Sequence, residues 1–157
     1  MTKTNVMRLL SAAGIAYSAA EYEYDESDLS GLHAASQLEL PAEQVFKTLV
    51  ARGDKSGPLV FCIPVTEELE LKKAASVSGN KRVELIHMKE LLPLTGYMRG
   101  GCSPIGMKKQ LPTYIDELST IFDIIAISAG QRGVQVLLSP RALVEYIGAQ
   151  TADLTGG

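Results

Sequence analysis

The chain has 157 residues, of which 46% are hydrophobic and 21% charged, and carries a formal net charge of -3. That length suits one domain with a real core. The acidic balance argues against an autonomous, non-specific nucleic-acid binder, whose phosphate-driven affinity needs a basic surface. The longest apolar runs are strand-sized, so no transmembrane helix is expected. The two cysteines, Cys62 and Cys102, form no CxxC pair. Together with an N-terminus that reads as a helix and not as a signal peptide, they predict a reducing, cytoplasmic setting without disulfide or metal site.

In chain order, the spacing of Val6, Leu9, Leu10 and Ala13 predicts a helix over 4–13, stopped by Gly14. "IAYSAAEYEYD" reads as extended. Ser30 caps a short helix through Leu32, Ala35 and Leu38, and Pro41 opens a further turn. "QVFKTLVA" and "LVFCIPV" are two strands joined by the polar loop "RGDKSGP", a β-hairpin. "ELELKKAASVSG" reads as a helix ending at Gly79, "RVELI" as a strand, and "MKELLPLTG" as a helical turn broken by Pro93. After a glycine-rich loop, "LPTYIDE", "FDIIAIS" and "VQVLLS" are strands, the last two joined by the turn "AGQRG". Ser139, Pro140 and Gly148 bracket a final helix as cap, first residue and stop. The tail 151–157 is expected to fray. Hairpins mixed with short helices predict a mixed sheet with helices packed on it in place of a Rossmann fold.

Lys47 stands out within this pattern. Alternation puts Val45, Lys47 and Leu49 on one strand face and Phe46, Thr48 and Val50 on the other. Such a lysine either snorkels at a sheet edge, where it discourages pairing, or points into a pocket. The loop "RGGCSPIG" presents the same kind of choice. Its glycines permit close backbone approach to a ligand, or they build a tight connector. It has neither the GxxxxGK[ST] nor the GxGxxG pattern of a phosphate-binding loop. Cys102 as a nucleophile requires a base, and the two histidines, His33 and His87, read as helix-surface or cap residues. The thiol therefore reads as a small apolar group. The basic spots "LKK" (71–73) and "MKK" (107–109) are solvated surface or phosphate contacts.

Four segments occur together and in order: "QVFKTLVA", "PVTEELELKKAA", "TGYMRGGCSPIGMKKQLPTYID" and "SAGQRGVQVLLSPRALVEY". In combination they resemble the YbaK/EbsC family of free-standing aminoacyl-tRNA deacylases, similar to the editing domain inserted in bacterial prolyl-tRNA synthetases. The likeness runs through most of the chain and is greatest to the Cys-tRNA(Pro) deacylase branch. It implies a compact single α/β domain over 1–150, with a mixed, twisted, partly barrel-like sheet and short helices packed on it. It also implies a trans-editing hydrolase that acts without cofactor on mischarged tRNA(Pro), in transient complex with prolyl-tRNA synthetase.

The family's active-site lysine matches Lys47. The glycine and proline of its GxxP loop match Gly101 and Pro104, with Gly100 and Ser103 beside them. Its strand tyrosine matches Tyr22, and its "SGG" turn matches Ser128, Ala129 and Gly130. The pattern departs at two pocket positions: Gln135 stands where the branch often has aspartate, and Ser30 where it often has an aromatic residue. The amino-acid preference is thereby left open. Ala-tRNA(Pro) is an alternative substrate, and a pocket that binds the charged tRNA end without turnover is an alternative role. In this branch the resemblance implies that the substrate's own thiol attacks its ester, with the protein supplying orientation and charge stabilisation.

Overall fold

The computed structural model describes residues 3–156. The chain opens with β-strand-free helix α1 (Asn5–Ala12), capped by Thr4, whose Oγ1 accepts the Met7 N–H at 3.3 Å. Gly14 follows with φ +72°, the left-handed stop read from the sequence. Val6, Met7 and Leu10 form the buried stripe of this helix. Strand β1 (Tyr17–Glu21) and helix α2 (Gly31–Leu38) come next, with Ser30 as the α2 cap.

Strands β2 (Phe46–Gly53) and β3 (Gly57–Pro64) form the predicted hairpin, in register from Phe46↔Pro64 to Gly53↔Gly57. Helix α3 (Leu71–Ser78), strand β4 (Val83–Leu85) and helix α4 (Met88–Thr95) precede the glycine loop. Strands β5 (Thr113–Asp116), β6 (Ile125–Ser128) and β7 (Val134–Leu138) lead to helix α5 (Pro140–Ile147) and a last strand, β8 (Gln150–Ala152). This is the mixed α/β class that the pattern predicts.

The strands divide into two sheets. One is antiparallel, in the order β1-β7-β6, and the other is mixed, in the order β4-β2-β3-β5-β8. A parallel bridge between Val45 and Ala126 brings the two together, without closing a barrel. The main core lies between them. It combines Phe46, Val50, Val60 and Cys62 from the hairpin with Ile125, Ile127, Val134, Val136 and Leu138, and adds Val6 and Leu10 of α1 and Leu143 of α5. The opposite face of the five-stranded sheet carries Leu59, Phe61 and Ile63, covered by Ala74 and Ala75 of α3 and by Leu154.

Three expectations change. The segment after 150 does not fray: β8 adds to β5 in parallel, and Leu154 and Thr155 are buried. Asp116 accepts the Leu154 N–H at 2.9 Å, Leu154 returns its carbonyl to the Glu70 N–H, and Lys73 pairs with Asp153. A polar, glycine-ended sequence hides this because every partner is distant in the chain. Pro93 does not break α4, which continues to Thr95. A proline removes one donor, here toward the Lys89 carbonyl, and Lys89 is exposed, so water can replace that bond. Helix α3 starts at Leu71, after Glu70, whose carboxylate accepts the Lys72 N–H. The "ELE" before it is not helical.

Candidate active site

Strand β2 is not covered along its full length. β4 pairs only with Ala51–Gly53, and the bridge to β6 is at Val45. The edge between them is left open, and a cavity of about 420 Å³ wraps around it. Five consecutive residues of β2, Phe46 to Val50, line this cavity. In a strand, neighbouring side chains point to opposite faces, so such a run requires that the cavity meet the strand at its edge. Lys47 is one of the five and is partly buried. Among the described residues its ammonium has no salt bridge.

The facing wall comes from the other sheet. Val134, Val136 and Leu138 point into the main core, so Gln135 points the other way. Gln135 pairs with Ser128 on β6 and with Ala20 on β1, which places Tyr22, two residues beyond Ala20, on the same side. Tyr22, Ser128 and Gln135 all line the cavity. The Ser128 hydroxyl accepts the Gly130 N–H at 3.1 Å. Burial pushes the Tyr22 phenol above its ordinary pKa, opposed by hydrogen bonds to the Gly133 backbone and the Gln135 side chain. Gln135 Oε1 is buried without a hydrogen-bond partner among the described residues. An orphaned buried carbonyl costs about 1–3 kcal/mol.

The remaining wall is built by the cap of α2 and by the glycine loop. Ser30 lines the cavity and donates its N–H to Asp28 Oδ1 at 3.2 Å. Hydrogen bonds from the Ser30 side chain and backbone hold the Asp28 carboxyl below its ordinary pKa, leaving a carboxylate at the rim. Gly100 and Cys102 line the cavity, whereas Gly101, Ser103, Pro104 and Gly130 do not. Gly101 is packed against the β6–β7 turn: a Cβ there would lie 3.1 Å from Arg132 N. Ser103 is fully buried and its Oγ accepts the Ile105 N–H. Gly130 has φ +94° and abuts the Tyr97 ring. These four shape the loop and turn from behind, a role that sequence patterns do not separate from ligand contact.

Cys102 has little nucleophilic character. Burial pushes its thiol up to about 12, with a hydrogen bond to the Thr95 side chain acting weakly the other way. Neither histidine lines the cavity: His33 Nδ1 lies 3.8 Å from Asp28, and His87 precedes α4. Of the basic spots, Lys73 is occupied by Asp153 and by the Thr155 carbonyl. Sequence reasoning did not find Asp28, Arg99, Leu85 or Met88, which are among the other lining residues. Leu85 and Met88 are more than half exposed, and an apolar residue on a rim leaves no periodic signal.

Residues 31–146 match the family model for the aminoacyl-tRNA editing domain. An Enterococcus faecalis protein named "Putative Cys-tRNA(Pro)/Cys-tRNA(Cys) deacylase EbsC" is 46% identical over 153 residues, covering 98% of this chain and 93% of that protein. A Bacillus subtilis protein, YwhH, is 23% identical over 124 residues, covering 79% of this chain and 78% of that protein. Among solved structures, one titled as a putative trans-editing enzyme for prolyl tRNA synthetase superposes with a TM-score of 0.85 at 27% identity, covering the whole of both chains. Family model, relative and superposition all cover the cavity-forming strands and loop, and the chain belongs to the aminoacyl-tRNA editing domain family.

Proposed function

We propose that this protein is a trans-editing hydrolase that deacylates mischarged tRNA(Pro), with Cys-tRNA(Pro) as its main substrate. The observation that carries the reading is Lys47. It is a cation without an ionic partner among the described residues, on an open strand edge, in a cavity of a size that takes small ligands. The named relative with 46% identity supports the same substrate class.

An aminoacyl ester is already activated, so the site needs to supply orientation and charge stabilisation more than a nucleophile. No residue lining the cavity offers a nucleophile–histidine pair. In the proposed reaction the cysteinyl thiol of the substrate attacks its own ester carbonyl. A C–S bond forms, the bond from the carbonyl carbon to the ribose oxygen breaks, and the thiol proton passes to that oxygen. The products are a cyclic thiolactone and uncharged tRNA. Lys47 holds a phosphate or ribose oxygen of the terminal nucleotide, or the oxyanion that develops on the carbonyl. Tyr22, Ser30, Gly100, Ser128 and Gln135 enclose the aminoacyl group, and Gly101, Ser103, Pro104 and Gly130 keep that enclosure in shape. The net charge of -3 suits a protein that borrows tRNA affinity from prolyl-tRNA synthetase in a transient cytoplasmic complex.

The test is release of labelled amino acid from a panel of mischarged tRNAs, including Cys-tRNA(Pro) and Ala-tRNA(Pro). Cys-tRNA(Pro) is expected to turn over fastest, with Lys47→Ala close to the buffer rate. Buffer-level release by the wild type, or full activity in Lys47→Ala, would overturn the reading.

A further inference from the structure

The open edge of β2 is main chain, and its register says which residue presents it. A strand residue directs its N–H and C=O to one side, and successive residues alternate. Val45 accepts the Val65 N–H at 2.9 Å, so its backbone faces β3. The pairs Lys47↔Ile63, Leu49↔Phe61 and Ala51↔Leu59 continue that ladder. The residues between them face the other way. Val50 shows this directly, because its carbonyl accepts the Ile86 N–H at 3.2 Å on the β4 side. Thr48 therefore directs both its N–H and its C=O out of the edge, at a point where neither β4 nor β6 pairs with β2. Thr48 lines the cavity and is partly exposed. Its hydroxyl is beside the core, 3.9 Å from Cys62 Sγ, which leaves its main chain as the polar group at the edge.

The gap is one residue long. Thr48 is the single outward-facing residue between Phe46, beside the β6 bridge, and Val50, tied to Ile86. That is too short for a peptide strand and fits one amino-acid residue. In a hydrogen-bonded antiparallel pair, two residues exchange both of their N–H···O bonds. An aminoacyl ester carries the same two groups, an amine and a carbonyl on either side of one α-carbon. We infer that the aminoacyl group docks on Thr48 as a one-residue extension of the sheet. Its α-amino group donates to the Thr48 carbonyl, and its ester carbonyl accepts the Thr48 N–H. The inference rests on the deacylase reading and deepens it. As the substrate thiol attacks, negative charge builds on the carbonyl oxygen, and the Thr48 N–H is a fixed donor to it beside the Lys47 ammonium. Docking of this kind reads the α-amine and the carbonyl and leaves the choice of side chain to the other walls of the cavity.

The experiment replaces the Thr48 amide N–H by an ester oxygen, through incorporation of the α-hydroxy analogue of threonine, and leaves every side chain in place. The kcat for Cys-tRNA(Pro) is expected to fall about 10²-fold, the loss of one oxyanion donor. A second measurement does not depend on that variant folding. Hydrogen exchange of the wild-type amides is followed with and without the cysteinyl amide of 3′-amino-3′-deoxyadenosine, which keeps the α-amine and the carbonyl but has no ester to cleave. In the free protein the Thr48 N–H is expected to exchange faster than those of Lys47 and Leu49, which face β3. At saturation with the cysteinyl amide it is expected to slow by about tenfold or more. The 3-mercaptopropionyl amide, which lacks only the α-amine, is expected to bind about tenfold more weakly, the loss of one hydrogen bond to a charged group.

A kcat within about threefold of wild type in the ester variant would overturn the inference while leaving the deacylase reading intact. So would a Thr48 exchange rate that saturating cysteinyl amide does not change, or equal affinity for the two amides. Failure of the wild type to release cysteine from Cys-tRNA(Pro) would remove the deacylase reading and this inference with it.

Discussion

Arg132 donates from Nε to the carbonyl of Arg99 across 2.8 Å. This bond ties the β6–β7 turn to the glycine loop, two segments that approach the cavity from opposite sheets. Gly101 makes the contact possible, because a side chain there would meet the backbone of Gln131 and Arg132. Gly101→Ala is therefore expected to push turn and loop apart. The expected cost is about 1–3 kcal/mol of stability, as for other overpacked sites. Displacement of the Gly100–Cys102 wall should also lower kcat/KM by about tenfold or more. Thermal denaturation and single-turnover deacylation check the two effects separately.

Lys47 should behave in the opposite way. Its ammonium has no salt bridge among the described residues, so Lys47→Ala is expected to change stability by no more than about 0.5 kcal/mol. Activity should fall by about 10²–10³-fold if the ammonium stabilises charge in the transition state. Lys47→Arg should restore only part of it, since the planar fork of guanidinium places its charge differently. Denaturant melts alongside kcat/KM distinguish this pattern from a structural defect.

The buried thiols make a pH prediction whose sign follows from linkage. Burial raises Cys62 and Cys102 from an ordinary value of 9.0 to about 12. Between those values the unfolded chain has lost protons that the folded chain still holds, so stability falls as pH rises. The thiol contribution is complete below about pH 9 and is lost toward pH 12, at up to about 1.4 kcal/mol per pH unit for each thiol. A Cys62→Ala, Cys102→Ala double variant should show a shallower decline in urea melts over this range. Cys102→Ser alone should keep activity within about threefold of wild type at pH 7–8, where the thiol is neutral and not a nucleophile.

The C-terminal strand offers a test outside the cavity. Leu154 is fully buried against the α3 side of the sheet. Leu154→Ala is expected to cost about 2–5 kcal/mol, as for other buried leucines. A frayed tail would show no change in the denaturation midpoint.

Much of the fold was legible because its signals are local. Thr4, Ser30 and Ser139 cap helices through N–H groups three residues away, and Gly14, Gly79 and Gly148 stop them by accepting a left-handed φ. The β2–β3 hairpin follows from alternation around one polar turn. Lys47 was visible for the same reason, as the residue that interrupts an apolar strand. The division into two sheets was not legible: "LPTYIDE" and "FDIIAIS" look alike as strands, yet β5 joins β3 while β6 joins β7.

The site divides along the same line. Residue type and order alone singled out the lysine and the glycine loop, since each breaks a local pattern, whereas the tyrosine strand and the serine turn came only from the family resemblance. Packing assigned their places. Gly100 and Cys102 line the cavity while Gly101 and Ser103 do not, and Gln135 lines the same cavity as Lys47, which comes from another sheet. Such pairings join residues up to 88 positions apart in the chain, by the numbering of Lys47 and Gln135. No local preference encodes them; they follow from how the open edge of β2 meets the β7 face when the two sheets close over their shared core.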